Sequence, residues 1–281
     1  MTASPSSQDT SNIPPALEVN DLSVAFGDRQ VLRGVTFTIR PGEVAGLIGT
    51  NGAGKTTLLR AILGLVSSQT GSVSVNGISG RRIHREIGYV PQSIDFDPDV
   101  PLRTWDFVAL GIDGDRFGLS KRSRAHKDLV DEMLALVGMS AFADQRISAL
   151  SGGQQQRVMI AHALVRAPRL LLLDEPLANL DLHSASEIVG LLSTLAHERQ
   201  VGVLVSTHDM NQLLPVMDTI VYVAGGTVAA GPPEEIVTED SLTKLYGHPV
   251  DVLHVRGRVL VIASTEAIDA DDPAHSHEAR T

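Results

Sequence analysis

The feature that most constrains this 281-residue chain is the stretch Gly49-Thr50-Asn51-Gly52-Ala53-Gly54-Lys55-Thr56, together with what flanks it. It fits the pattern G-x-x-x-x-G-K-[ST]. Ahead of it runs the apolar segment Val44-Ala45-Gly46-Leu47-Ile48; behind it Leu58, Leu59, Ile62, Leu63 and Leu65 recur at helical spacing. Strand, glycine-rich turn and helix is the context in which this pattern cradles a polyphosphate, because glycines let backbone N–H groups close around the anion and the helix start adds a favourable field. Gly49, Asn51, Gly52, Ala53 and Gly54 are expected to line the phosphates, with Thr57 beside them. Lys55 is expected to reach the β- and γ-phosphates, and Thr56 to offer Mg²⁺ a hard hydroxyl ligand. Alone, the motif specifies nucleotide binding and no reaction.

The rest of the chain supplies a fold around that cradle. Leu22-Ser23-Val24-Ala25-Phe26 and Val35-Thr36-Phe37-Thr38-Ile39 alternate in polarity on either side of the turn candidate Gly27-Asp28, as half-buried antiparallel strands do. Residues 71–76 repeat the alternation and end at Asn76-Gly77, a turn pair that tolerates positive φ. These segments predict a β subdomain. Residues 127–137 put Leu129, Val130, Met133, Leu134 and Val137 on one helical face, with Gly138 as the stop. Residues 170–173 and 201–206 read as buried strands, and the helical pattern over 184–196 between them completes a parallel βαβ unit. The expected fold class is α/β: a P-loop NTPase core with a mostly parallel sheet, an antiparallel β subdomain and an inserted α-helical subdomain.

Composition excludes several functions. A net charge of −10 argues against a general nucleic-acid binder, and the absence of cysteine removes disulfides and thiolate metal sites. No apolar run approaches the roughly 20 residues needed to cross a bilayer, so any membrane component has to come from a partner. Residues 1–15 are rich in Ser, Thr and Pro but lack a basic start followed by an apolar core; no secretory signal is expected, and the protein is expected to stay in the cytoplasm. Residues 1–15 and 265–281 read as disordered tails, the second acidic.

Leu150-Ser151-Gly152-Gly153-Gln154 resembles the signature loop of ABC ATPases. In that family the loop is a second anion site, pressed onto the γ-phosphate held by another subunit, which implies that role for Ser151, Gly152, Gly153 and Gln154. Gln155, Gln156 and Arg157 would continue into a helix that presents them. Leu170-Leu171-Leu172-Leu173-Asp174-Glu175 resembles the Walker B strand, which implies that Asp174 holds Mg²⁺ and that Glu175 is the general base. Residues 176–181, with Ala178, Asn179, Leu180 and Asp181 in place, resemble the D-loop, which implies that Asp181 lies at the dimer interface near nucleotide. Ser206-Thr207-His208-Asp209 is similar to the switch segment, implying that His208 contacts the γ-phosphate. Tyr89-Val90-Pro91-Gln92 is similar to the Q-loop, whose glutamine reaches both Mg²⁺ and the attacking water. Phe26 stands where the family stacks an aromatic ring on adenine, although on an alternating strand it also reads as core.

The resemblance covers residues 17–231 and implies Mg-ATP hydrolysis by a homodimer of such subunits, with two ATP molecules in the interface. It further implies integral membrane permease subunits, through them a substrate-binding protein, and a place on the cytoplasmic face of the membrane. The expected organisation is an ATPase domain over 16–235, with its helical subdomain at about 93–165, and a C-terminal extension over 236–264. Asp95-Phe96-Asp97-Pro98-Asp99-Val100-Pro101-Leu102, Asp106-Phe107-Val108-Ala109-Leu110-Gly111 and the C-terminal segment from Tyr246 to Leu253 resemble ATPases that import manganese, zinc or iron. Siderophore or cobalamin import is the alternative, and a soluble ABC protein is disfavoured by a single motif set without a heptad insertion. His248, His254, His275 and His277 lack the fixed spacing of a metal sensor.

Overall fold

The computed structural model describes residues 13–49, 52–113, 123–246, 249–255 and 258–263. Thr50 and Asn51 of the cradle, residues 1–12, residues 264–281, and His248, His275 and His277 lie outside the described residues. The chain opens with β1 (Leu17–Phe26) and β2 (Arg29–Ile39), an antiparallel pair closed by Gly27-Asp28, with Phe26 opposite Arg29. Then come β3 (Val44–Gly49), α1 (Lys55–Ile62), β4 (Thr70–Val75), β5 (Ile78–Ser79) and β6 (Ile87–Val90). Sheet order β2-β1-β4-β5 confirms the antiparallel subdomain.

A helical stretch follows: α2 (Thr104–Asp113), α3 (Arg124–Leu136) and α4 (Gly152–Leu164). Gly138, at φ 71, sits just past α3, where the Gly138 and Met139 N–H groups bond back to Ala135 and Leu134 as a C-terminal cap requires. The chain continues through β7 (Leu170–Asp174), α5 (Leu182–Arg199), β8 (Gly202–Thr207), β9 (Thr219–Ala224) and β10 (Thr227–Gly231). Last come α6 (Pro233–Ile236), α7 (Glu239–Tyr246) and the hairpin β11 (Val250–Val255) with β12 (Arg258–Ala263), which carries His254 on its first strand.

The larger sheet has the order β10-β9-β3-β8-β7-β6 and is parallel except at β10. Its central strands β3, β7, β8 and β9 are mainly apolar and buried because both faces are covered there. Along β7, Leu170 and Leu172 face the core shared with α1 and the antiparallel sheet, while Leu171 and Leu173 face the core shared with α2, α3, α4 and α5. The carboxyl ends of β3, β8, β7 and β6 stand side by side, one strand spacing of about 4.8 Å apart. In α/β sheets this edge is where ligands bind. Among the described residues no helix is long and apolar enough to cross a membrane.

Two glycines set how closely α4 approaches its neighbours. A Cβ at Gly88 of β6 would stand 2.7 Å from the Ala163 carbonyl oxygen, and one at Gly111 of α2 would stand 2.6 Å from that of His162. Backbone cannot yield as a side-chain tip can. Gly88→Ala is therefore expected to cost about 1–3 kcal/mol of stability by overpacking, read as a lowered urea midpoint at unchanged slope.

Candidate active site

β3 ends at Gly49, where a Cβ would run into the Val223 carbonyl oxygen on β9, so the strand needs glycine there to pair and turn. Gly54 closes the cradle at φ 114 and begins α1. Lys55 is the first residue of that helix, only 8% exposed, and its Nζ donates to the Gly49 carbonyl oxygen at 2.6 Å. Burial pushes the Lys55 pKa down, while the charges of Glu175 and then Asp174 push it back up. The buried ammonium thus faces two carboxylates across the site.

A cavity of about 370 Å³ opens here, lined on one side by Gly52, Gly54, Lys55, Thr56 and Thr57, on the other by Phe26 and Arg29, and reached by Glu175. Phe26 is 52% exposed: it is not core, and its ring borders the cavity as an adenine platform would. Ala53 packs against the core beneath α1. Arg29 had no sequence signal of its own; it joins the site only because the two-residue turn sets it opposite Phe26.

The acidic edge comes from β7. Asp174 is its last residue, and Glu175 then leaves the sheet at φ 46, in the left-handed region that non-glycine residues seldom adopt. Gln92, two residues past β6, donates from Nε2 to Glu175 Oε2 at 3.3 Å. His208, just past β8, brings Nδ1 to 3.4 Å from the same oxygen. Three strand ends therefore meet at one carboxylate oxygen. Thr56, Asp174 and Gln92 offer hydroxyl, carboxylate and amide oxygens around this edge, a donor set that suits Mg²⁺.

The signature residues lie elsewhere. Ser151 caps α4: its Oγ accepts from the Gln154 N–H at 3.4 Å while Gln154 Oε1 accepts from the Ser151 N–H at 2.9 Å. Gly152 lies beside Leu180, and a Cβ at Gly153 would stand 2.9 Å from Ser184, so the start of α4 rests on the start of α5. Asp181 caps α5, accepting from the His183 and Ser184 N–H groups and from Ser184 Oγ. None of Ser151, Gly152, Gly153, Gln154 or Asp181 lines the cradle cavity of their own chain. The residues that follow continue into α4, as expected. Gln156 is 4% exposed, Gln155 Nε2 donates to the Ile147 and Leu150 carbonyl oxygens, and Arg157 donates to that of Val137 and pairs with Glu187.

Residues 32–178 match the ABC transporter family. A manganese transport system ATP-binding protein of Halalkalibacterium halodurans is 35% identical over 88% of this chain and 98% of its own. A zinc import ATP-binding protein of Pseudomonas fluorescens is 34% identical, covering 82% of each chain, and a hemin import ATP-binding protein of Bordetella pertussis is 37% identical over 88% and 99%. Among solved structures, cbiO1 of Clostridium perfringens, part of the ABC transporter complex cbiONQ, superposes with a TM-score of 0.70 at 28% identity, over 82% of this chain and 94% of that one. The chain belongs to the ABC transporter family. It is an ATP-binding, transport-coupled ATPase with the α/β P-loop fold expected from its motifs.

The cap on α5 generates a pH prediction. Hydrogen bonds from the Ser184 backbone and side chain hold the Asp181 carboxyl below the usual carboxylate range. A depressed folded-state pKa contributes stability above the unfolded value and loses it as pH falls through the folded one. Asp181→Ala is expected to lower Tm at neutral pH, with the gap to the native protein closing below about pH 4. Parallel thermal melts across that range measure it, and a constant gap would contradict it.

Proposed function

We propose that this chain hydrolyses Mg-ATP in a symmetric pair with a second copy and thereby drives a membrane permease that imports a metal ion. The observation that carries the chemistry is the meeting of Gln92 and His208 at one oxygen of Glu175, on the edge of a cavity holding a buried lysine. Glu175 acts as general base, drawing the proton from the attacking water; His208 and Gln92 orient that water and the γ-phosphate. Lys55 and the backbone of Gly49, Gly52 and Gly54 hold the β- and γ-phosphates, Thr57 lies beside them, and Phe26 stacks on adenine. Asn51 and Ala53 complete the cradle. Thr56, Asp174 and Gln92 would hold Mg²⁺, which when bound neutralises charge developing on the phosphates.

Signature residues removed from their own cradle make sense if they serve another. Ser151, Gly152, Gly153 and Gln154 of one chain close over the γ-phosphate held by its mate, and Asp181 lies at the same seam. Twofold symmetry gives two identical sites. We read residues 16–235 as the ATPase domain, 93–165 as its helical subdomain and 236–264 as an extension. The work is done at the cytoplasmic face of the membrane, where the permease subunits and, beyond them, a substrate-binding protein complete the system; nucleic acid plays no part.

The metal cargo is supported by relatives that are ATP-binding proteins of manganese transport and zinc import and by the resemblance of residues 95–102, 106–111 and 246–253 to that group. Because a hemin import relative matches as extensively, the transport assay includes hemin. Vesicles bearing this chain with its co-purified permease are expected to take up Mn²⁺ or Zn²⁺ in an ATP-dependent manner; uptake of hemin alone would replace the metal reading.

Substitutions at three positions test the site. Glu175→Gln is expected to keep ATP binding, lose about 10²- to 10⁴-fold in kcat and accumulate an ATP-bound dimer seen by light scattering. Normal turnover would remove Glu175 from the role of base. Lys55→Ala is expected to weaken ATP binding itself. Phe26→Ala is expected to lose about 1–3 kcal/mol of ATP affinity while Phe26→Tyr retains it, measured by calorimetry.

A further inference from the structure

The two carboxylates on which the reaction depends share one partner, a serine that opens the switch segment and to which the motif itself gives no role. Ser206 lies on β8, directly opposite Asp174 of β7 in the parallel register. It is fully buried. Its Oγ donates to Asp174 Oδ1 at 2.6 Å and accepts from the Glu175 N–H at 2.9 Å, while its carbonyl oxygen accepts from the same N–H at 3.1 Å. One hydroxyl therefore binds the side chain of the first acid and the backbone of the second.

We infer that Ser206 is a positioning residue for ATP hydrolysis, holding the Asp174 carboxylate and the Glu175 backbone in the geometry that Mg²⁺ binding and water activation require. The inference rests on the assignment of Asp174 and Glu175 above. Glu175 stands at φ 46, a conformation that persists only where surrounding bonds over-determine it. Its N–H, held by both oxygens of Ser206, supplies that determination. The side chain is fixed separately, by Gln92 and His208 at Oε2. Backbone and carboxylate are thus clamped from two adjacent strand ends.

The same hydroxyl orders Asp174. With Oδ1 occupied by the Ser206 O–H, the carboxylate keeps one rotameric setting, and Oδ2 has no hydrogen-bond donor among the described residues. A ligand so oriented binds a hard cation without first paying to find its geometry, which is how outer-shell hydrogen bonds tune metal sites. Serine suits the position on two counts. The hydroxyl both donates and accepts, so it is satisfied although fully buried. Alanine there would leave the Glu175 N–H with the carbonyl alone and Asp174 Oδ1 without a donor.

The test compares the native full chain with Ser206→Ala, Ser206→Thr and Glu175→Gln. Steady-state kcat and KM for ATP are measured across a Mg²⁺ titration, MgATP affinity by calorimetry, and exchange of the Glu175 amide in nucleotide-free protein by mass spectrometry or NMR. For Ser206→Ala we expect kcat to fall about tenfold with KM little changed, half-saturating Mg²⁺ to rise, and the Glu175 amide to exchange faster. Ser206→Thr, which keeps the hydroxyl, is expected to restore most of the kcat. Should Ser206→Ala fail to fold at assay temperature, Ser206→Cys takes its place, keeping the bulk with a weak donor. An unchanged kcat and Mg²⁺ dependence in the alanine or cysteine variant overturns the inference. If that happens while Glu175→Gln is inactive, the base assignment stands and Ser206 alone is removed; if Glu175→Gln turns over normally, the underlying assignment has failed.

Discussion

Parallel pairing of β3, β8 and β7 in a single register decides where the phosphate cradle, the acidic pair and His208 lie. Ile48 pairs with Thr207, and Asp174 pairs with Ser206, so the phosphate cradle, the switch histidine and the acidic pair leave the sheet at one level. A one-residue slip would move each leucine of β7 from one core to the other and carry the acids to the opposite face. The two cores that sandwich the sheet prevent that slip, since alternate residues of each strand are claimed by different cores. Catalytic precision here is a by-product of hydrophobic patterning.

The site concentrates cost in a small volume. A lysine is held out of water, and a glutamate is bent into a conformation its side chain disfavours. Each finds compensation in the other: the carboxylates restore part of what desolvation takes from Lys55, and the strand-end hydrogen bonds hold Glu175 where it is. Removing any one partner exposes the cost borne by the rest, which is why such groups act as a unit.

Local patterns were legible in the sequence. The cradle is contiguous, and the β1–β2 turn and the α3 stop are each carried by a glycine with an obvious task. Helix α5 runs from Leu182 to Arg199, further than the apolar spacing over 184–196 suggested, because Asp181 supplies a cap that hydrophobic periodicity does not record. Contacts made by pairing were invisible. Arg29 enters the cavity through the register across a turn, Ser206 reaches Asp174 through the register between strands distant in the chain, and Gln156 turns inward through helical phase. Strands β9 and β10 and the C-terminal hairpin were not assigned from sequence at all, although the apolar run at 219–224 signals a strand. Phe26 was ambiguous because alternation alone does not say which end of a strand outruns its sheet.

The cap on α4 has a consequence for how two copies come together. Ser151 engages its helix by accepting a hydrogen bond, which uses a lone pair and leaves the hydroxyl proton unspent. An incoming anion can accept a hydrogen bond from that hydroxyl without evicting Gln154 and without fraying the first turn. The start of α4 is thus already ordered by its own cap, and a hydrogen bond donated by the Ser151 hydroxyl would add to that cap and take nothing from it.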